Sequence, residues 1–303
     1  MTIPAVFRRN VSEAWGEAGQ RWLDELPSLV TTITHAWDLD VGEPYVLSFN
    51  WVAPATTADG TPSVLKLGVP ESDHLFHEAA ALTCFDGRGA VRLLDRDADR
   101  GALLLERAAP GTQARVLVPE RDEEATAAFI TLTRRLHRPP PADCPLPELV
   151  TRGEAFAAHL RRYPDDRVLP RLLVERAGRL FDELCASATE RVVLHGDLHH
   201  DNILSADREP WLAIDPHGVV GDPGSEVGPW LYNPDPALRD DNLLALVPAR
   251  VEQLADGLAL PVERVLAWGF VLCMLSEVWD AEGGGTGGGR ALDVALQLLP
   301  RLR

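Results

Sequence analysis

The stretch 191–215, RVVLHGDLHHDNILSADREPWLAID, constrains the fold more than any other part of the chain. A short apolar strand (Val192, Val193, Leu194) leads into a polar cluster of His195, Asp197, His199, His200, Asp201 and Asn202. Two apolar runs, Ile203-Leu204 and Trp211 to Ile214, flank the polar turn 206–209 and predict a hairpin. Closed symmetrically, this hairpin sets Asn202 opposite Asp215 at its open end, with Cβ atoms roughly 5 Å apart. An amide oxygen and a carboxylate at that separation are hard oxygen ligands suited to one shared Mg²⁺. Asp197, upstream on the incoming loop, comes in beside the same ion.

A second feature lies far away in the sequence. Of the 29 basic residues only one, Lys66, is a lysine; the rest are arginine. A chain that uses arginine for its surface keeps a lysine where a compact point charge is needed. Lys66 is centred in the apolar strand Val64-Leu65-Lys66-Leu67. In the helix that follows, Leu75, Glu78, Leu82 and Phe85 share one face, which puts Glu78 inside an apolar stripe. A buried carboxylate needs a cation partner or takes up a proton, and Lys66 is the candidate; a helix-edge glutamate reaching solvent is the alternative.

Around these features the chain alternates in character. Apolar residues at helical spacing over 11–38 predict two helices divided at Pro27. Strands are expected at 45–52, 63–67, 90–94 and 102–106, with a turn at Asp59-Gly60 and a helix over 72–85 capped by Ser72. A connector at 107–111 leads to a mainly helical remainder, with helices near 122–137, 151–162, 170–186, 238–256, 261–280 and 290–302. The glycine-rich stretch 283–289 reads as a mobile loop. The expected class is therefore α+β: a first lobe, 1–106, of antiparallel sheet plus helix, a hinge at 107–111, and a helical second lobe, 112–303.

His195-x-Asp197-x4-Asn202 followed by Asp215 looks like the catalytic loop and metal-binding aspartate shared by protein kinases and antibiotic kinases. With DGTPSVLKL (59–67), GRGAVRLLDRD (87–97), ALLLER (102–107), LHGDLHHDNIL (194–204) and PWLAIDPHGVVGDP (210–223), the chain resembles the aminoglycoside phosphotransferases over nearly its whole length. The likeness is greatest to their streptomycin 6-kinase and hydroxyurea-kinase-like branch. It implies a protein-kinase-like bilobal fold and transfer of the γ-phosphate of ATP (or GTP) to a hydroxyl. By the same likeness Asp197 orients or deprotonates the acceptor hydroxyl, Asn202 and Asp215 hold Mg²⁺, His195 braces the loop, and Lys66 paired with Glu78 holds the α/β-phosphates. Ser48 and Asn50 stand where a kinase has its glycine-rich loop, and Glu106 opens the connector that presents backbone groups to adenine. The branch often has lysine after the metal aspartate and proline; here that position is His217.

Acceptor-side candidates are Asp222, Glu226, Glu277, Trp279 and Asp280, because carboxylates beside an indole suit a polyamine or guanidinium ligand. Glu277 and Asp280 fit a solvated helix end equally well. A net charge of −17 argues against nucleic acid as a partner and would suit a small cationic acceptor. The longest apolar run, 265–275, is about half of what a bilayer requires, and no basic-then-apolar leader opens the chain. Four scattered cysteines without a CxxC pair suit a reducing cytoplasm. The expected protein is a cytoplasmic monomer or weak dimer. Two other readings compete: a metal-dependent hydrolase using His195, Asp197, His199 and His200, and a non-catalytic kinase-like binding protein.

Overall fold

Alternation along one strand organises the first lobe. In β3 (Pro62–Leu67), Leu65 and Leu67 pack with one apolar cluster, and Val64 and Lys66 face the other way. The computed structural model describes residues 3–285 and 287–302. It places β3 third in a five-stranded antiparallel sheet with β1 (Leu39–Val41), β2 (Trp51–Thr57), β4 (Leu93–Asp97) and β5 (Ala102–Glu106), in the order β1-β2-β3-β5-β4.

Helix α1 (Ala5–Ala36) covers one face of this sheet with Phe7, Val11, Trp22, Leu23, Leu26 and Ile33. Two helical stretches meet at a kink here, as expected, but the kink is not at Pro27. The break in helical geometry falls at Gly16, whose φ of 53° is open to glycine, and Pro27 lies inside the helix. A proline in a helix interior costs roughly 3 kcal/mol. Leu23, Leu26 and Ile33, all buried on either side of it, supply enough apolar burial to offset that.

Helix α2 (His74–Phe85) covers the opposite face, where Leu75, Leu82 and Phe85 meet Leu103 and Leu105. Asp73, not Ser72, is its N-cap, while the Ser72 amide closes a turn onto Val69 O. The expected strand over 45–52 begins only at Trp51, because Tyr45, Val46 and Phe49 are exposed and have no apolar face to bury. The strand expected at 90–94 starts three residues later. Buried Ala90 and Val91 instead bond across to the second lobe, with Val91 N donating to Ala213 O at 3.0 Å and Ala213 N to Gly89 O at 2.8 Å.

Chain 110–302 is mostly helical: α3 (Asp122–Leu136), α4 (Glu154–Arg162), α5 (Arg171–Ala186), α6 (Val227–Tyr232), α7 (Asp241–Leu258), α8 (Val262–Glu282) and α9 (Arg290–Leu298). Its small strands form two sheets. β6 (Pro110–Gln113) lies beside β8 (Ile203–Ala206) and β9 (Trp211–Ala213), and β7 (Val192–Leu194) pairs with β10 (Val219–Gly221). Helix α8 is buried on nearly all sides, and no helix among the described residues is long and apolar enough to cross a membrane. One apolar cluster runs without interruption from α2 and the inner sheet face into these helices. The floor of the cleft between the lobes is thus continuous with both.

Candidate active site

The β8–β9 hairpin pairs Ile203 with Ala213 and Leu204 with Leu212. This register is one residue off the symmetric one, so Asn202 faces Ile214, whose amide donates to Asn202 O at 2.9 Å. Asp215 lies just beyond the ladder in the left-handed region, with φ 58°. That turn carries its carboxylate out of the sheet and toward the first lobe, where Oδ1 meets Lys66 Nζ at 2.7 Å.

Lys66 Nζ also donates to Glu78 Oε2 at 2.6 Å. The ammonium sits between two carboxylates contributed by a strand end and a helix. Burial opposes the Lys66 charge, but Asp215 and Glu78 outweigh it and hold its pKa above the ordinary lysine range. Burial would likewise raise Asp215, and the Lys66 charge and hydrogen bond hold it well below the usual carboxylate range. Fully buried Glu78 is pushed upward despite the same lysine.

His74, Glu78 and Asp215 bring ligand atoms within 4.8 Å of one another, which is the one such His/Cys/Asp/Glu group among the described residues. The Lys66 ammonium already bridges its two carboxylates. The His74 imidazole, with burial the largest cause, is held neutral with a pKa near 4.

The Asp197 loop is braced from several sides. The Asp197 amide donates to His195 Nδ1 at 3.3 Å, which leaves Nε2 as the protonated nitrogen, donating to Ile214 O at 2.8 Å. Burial keeps that imidazole neutral, with a pKa near 4. Asn202 Nδ2 donates to Asp197 O at 3.0 Å. Gly196 adopts φ 80°; its amide donates to Glu226 Oε1 at 2.8 Å and its carbonyl accepts from Arg152 Nη1 at 2.9 Å. The Asp197 carboxylate itself lies between two imidazoles, with Oδ2 at 3.6 Å from His199 Nε2 and 3.7 Å from His217 Nε2. Burial acts to raise its pKa, but the His199 contact and the neighbouring imidazole charges bring it below the ordinary value.

The histidines of the cluster do not converge on a common point. His195 is spent on backbone groups, and buried His200 stacks on Trp230 with ring centroids 3.7 Å apart, its Nε2 against Arg250. Among the described residues the one His/Cys/Asp/Glu group close enough to share a metal holds a single histidine, His74, and none of the histidines of the hydrolase alternative.

The acceptor-side candidates are largely engaged elsewhere. Asp222 caps the turn 223–226 through Gly224 N and pairs with Arg264. Glu277 is buried, accepting from the amides of Gly288 at 2.5 Å and Leu292 at 2.9 Å, and Asp280 accepts from Gly287 N at 3.3 Å. These two carboxylates hydrogen-bond the glycine-rich stretch at Gly287 and Gly288; Thr286 within it lies outside the described residues. Glu106 is held by Arg208 at 2.7 Å and by the Arg92 amide at 2.9 Å, so its side chain is taken up between strands. The Ser48 carbonyl accepts from Asn10, and the Asn50 amide oxygen fills the space beside Gly68 where a Cβ would stand.

Only Glu226 and half-exposed Trp279 line the small cavity next to Asp197, together with Arg152, His217 and Tyr232. Arg152 had no signal in the sequence: it is one of 28 arginines, in a turn 45 residues upstream of Asp197.

Comparison with known proteins places the chain in a family and a fold. The family model described as "Aminoglycoside/hydroxyurea antibiotic resistance kinase" matches residues 42–284. The chain is 32% identical to a streptomycin 6-kinase of Streptomyces glaucescens, over 93% of this chain and 92% of that protein. It is 37% identical to a hydroxyurea phosphotransferase of Kitasatospora aureofaciens, over 93% of this chain and 81% of that one. Among solved structures, an aminoglycoside phosphotransferase of Streptomyces rimosus in complex with ADP and streptomycin superposes with a TM-score of 0.57 at 22% identity, covering 83% of this chain and 98% of that one. The shared architecture is the protein-kinase-like one, with an antiparallel sheet in one lobe and helices in the other.

Proposed function

The chain belongs to the aminoglycoside/hydroxyurea antibiotic resistance kinase family, and from that premise we propose that it is an ATP-dependent O-phosphotransferase acting on a small hydroxyl-bearing acceptor, an aminoglycoside such as streptomycin. The observation that carries the reading is the bridge from Lys66 to Glu78 and Asp215, which joins the sheet lobe to the end of the Asp197 hairpin. A lone buried lysine between two carboxylates, one from each lobe, has no economical structural purpose. Replacing such a network with apolar residues is often neutral or stabilising.

In this reading, residues 1–106 form the nucleotide lobe, 107–111 the hinge whose backbone meets adenine, and 112–303 the catalytic and acceptor lobe. Lys66, oriented by Glu78, binds the α/β-phosphates, with Ser48 and Asn50 on the near side of the cleft. Asn202 and Asp215 form the Mg²⁺ site. The donor types fit a hard cation: the Asn202 nitrogen is committed to Asp197 O, which leaves its amide oxygen as a donor, and Asp215 is held in its charged form. Mg²⁺ there would neutralise charge on the phosphate oxygens.

Asp197 accepts a hydrogen bond from the acceptor hydroxyl and points its oxygen lone pair at the γ-phosphorus. The acceptor O–P bond forms as the bond to the β-phosphate oxygen breaks, the proton passes to Asp197, and ADP leaves. The transition state is loose, so alignment does most of the work. The bracing of Gly196 and Asp197 by His195, Asn202, Glu226 and Arg152 supplies that alignment. A cytoplasmic location accords with use of ATP and with the four free cysteines.

Hydroxyurea is the second acceptor reading. It is favoured by a relative named for that substrate, 37% identical to this chain.

A coupled ADP-release assay with streptomycin, hydroxyurea, amino sugars and choline-like amines tests the proposal. Asp197→Ala is expected to lower turnover by at least about 10²-fold while leaving nucleotide affinity nearly unchanged. Bound Mg·ATP with no acceptor raising turnover would leave a binding protein in its place.

A further inference from the structure

Of the acceptor-side carboxylates only Glu226 reaches the cavity next to Asp197, and one of its oxygens is taken by Gly196 N. Asp222 and Glu277 are consumed by Arg264 and by backbone amides, and Asp280 turns to the glycine loop. A cation reaches the cavity as well. Arg152, in the turn Leu149–Gly153, bonds Gly196 O at 2.9 Å and sets its guanidinium carbon 5.7 Å from the centroid of the Trp279 ring. Burial lowers its pKa, opposed by the charges of Asp197 and Glu226, and among the described residues it forms no ion pair within 4.0 Å. A carbonyl, an indole face and two flanking carboxylates are what a guanidinium ligand would seek, and the protein's own guanidinium is there already.

We propose that Arg152 determines acceptor specificity: its guanidinium fills the cation subsite between Gly196 O and Trp279, so the position beside Asp197 takes a neutral hydroxyl compound, and a guanidinium-bearing acceptor binds there only by displacing Arg152. The inference rests on the phosphotransferase reading above. A cationic acceptor turned over by the intact protein therefore presents a neutral edge to Asp197 and keeps its charge outside this subsite. Two like charges within a desolvated slot repel strongly, which is the physical source of the discrimination.

The test compares kcat/KM for streptomycin and hydroxyurea in the wild type, Arg152→Gln, Arg152→Ala and Arg152→Lys, with thermal melting to verify folding. Glutamine keeps a donor for Gly196 O but loses the charge; lysine keeps the charge. Arg152→Gln and Arg152→Ala are expected to raise the streptomycin-to-hydroxyurea ratio by about tenfold, the scale of one desolvated cation–π contact, and Arg152→Lys to leave it near the wild-type value. Millimolar guanidinium chloride should compete with streptomycin in Arg152→Ala and not in the wild type. If the substitutions lower both acceptors by one factor and guanidinium has no effect, Arg152 is only a brace for the Gly196 loop and the inference falls. If the folded wild type binds Mg·ATP but turns over neither acceptor, the phosphotransferase reading fails first and the inference goes with it.

Discussion

Glu226 offers a quantitative check on how the Asp197 loop is held. Its side chain is buried, one carboxylate oxygen accepts from Gly196 N at 2.8 Å, and the other has no hydrogen-bond partner. Burial pushes its pKa up to about 7, opposed by the Gly196 hydrogen bond and the Arg152 charge. The folded chain therefore holds the proton to higher pH than the unfolded chain. Stability from this group is fully present below the unfolded value of 4.5 and is lost as pH rises through about 7. Between pH 5 and pH 8 those two values correspond to a loss of roughly 2–3 kcal/mol.

Glu226→Gln keeps the acceptor for Gly196 N and removes the titration. Between pH 5 and pH 8, unfolding free energies from urea titrations should therefore fall by roughly 2–3 kcal/mol less in the variant than in the wild type. Because Glu78 titrates in the same direction, the wild-type slope alone does not isolate Glu226; the difference between the two proteins does. Parallel slopes would refute the reasoning, since they would mean that Glu226 is ionised in the fold at pH 5 and that burial does not control it.

The remaining expectations concern the same network and its surroundings. Lys66→Ala should raise the KM for ATP, and by leaving Glu78 and Asp215 without their cation it should lower stability by about 3–5 kcal/mol at neutral pH, read by urea titration. Chelation of divalent ions should abolish turnover. Mg²⁺ with a nonhydrolysable nucleotide at about 100 times Kd should add about 2.7 kcal/mol of stability, and an unchanged melting temperature would remove Asn202 and Asp215 from the metal role. Behind the Asp197–Asn202 loop, buried Arg250 clamps Asp122 and the carbonyls of Trp230 and Asn233. Arg250→Ala should destabilise by about 3–5 kcal/mol and leave the KM for ATP unchanged.

Much of the site can be found without coordinates, because the signals involved are local. Strand alternation puts Lys66 on the face opposite Leu65 and Leu67, helical periodicity puts Glu78 toward that face, and the short loop ties Asp197 to Asn202. Errors in the sequence reading come where a partner is distant. The hairpin register slipped by one residue because nothing in 203–214 shows that Asp215 will adopt a positive φ to reach Lys66. The strand expected at 90–94 became a cross-lobe stitch because its backbone groups found Gly89 and Ala213 as a pair across 124 residues.

The amino-acid sequence by itself determined the lobes, the helix and strand faces, and the chain segments that approach the cleft, since these follow from periodicity and spacing over a few residues. Tertiary structure alone decided which charges are available for chemistry. With 46 acidic groups and 28 arginines, composition cannot say which pairs form. Packing gave Glu277 and Asp280 to the glycine loop, Asp222 to Arg264, and Glu226 to the amide before Asp197, and it brought Arg152 to Trp279. A buried polar group must be satisfied by whatever the fold brings within hydrogen-bond reach, and that set is fixed only when the helices have closed on one another.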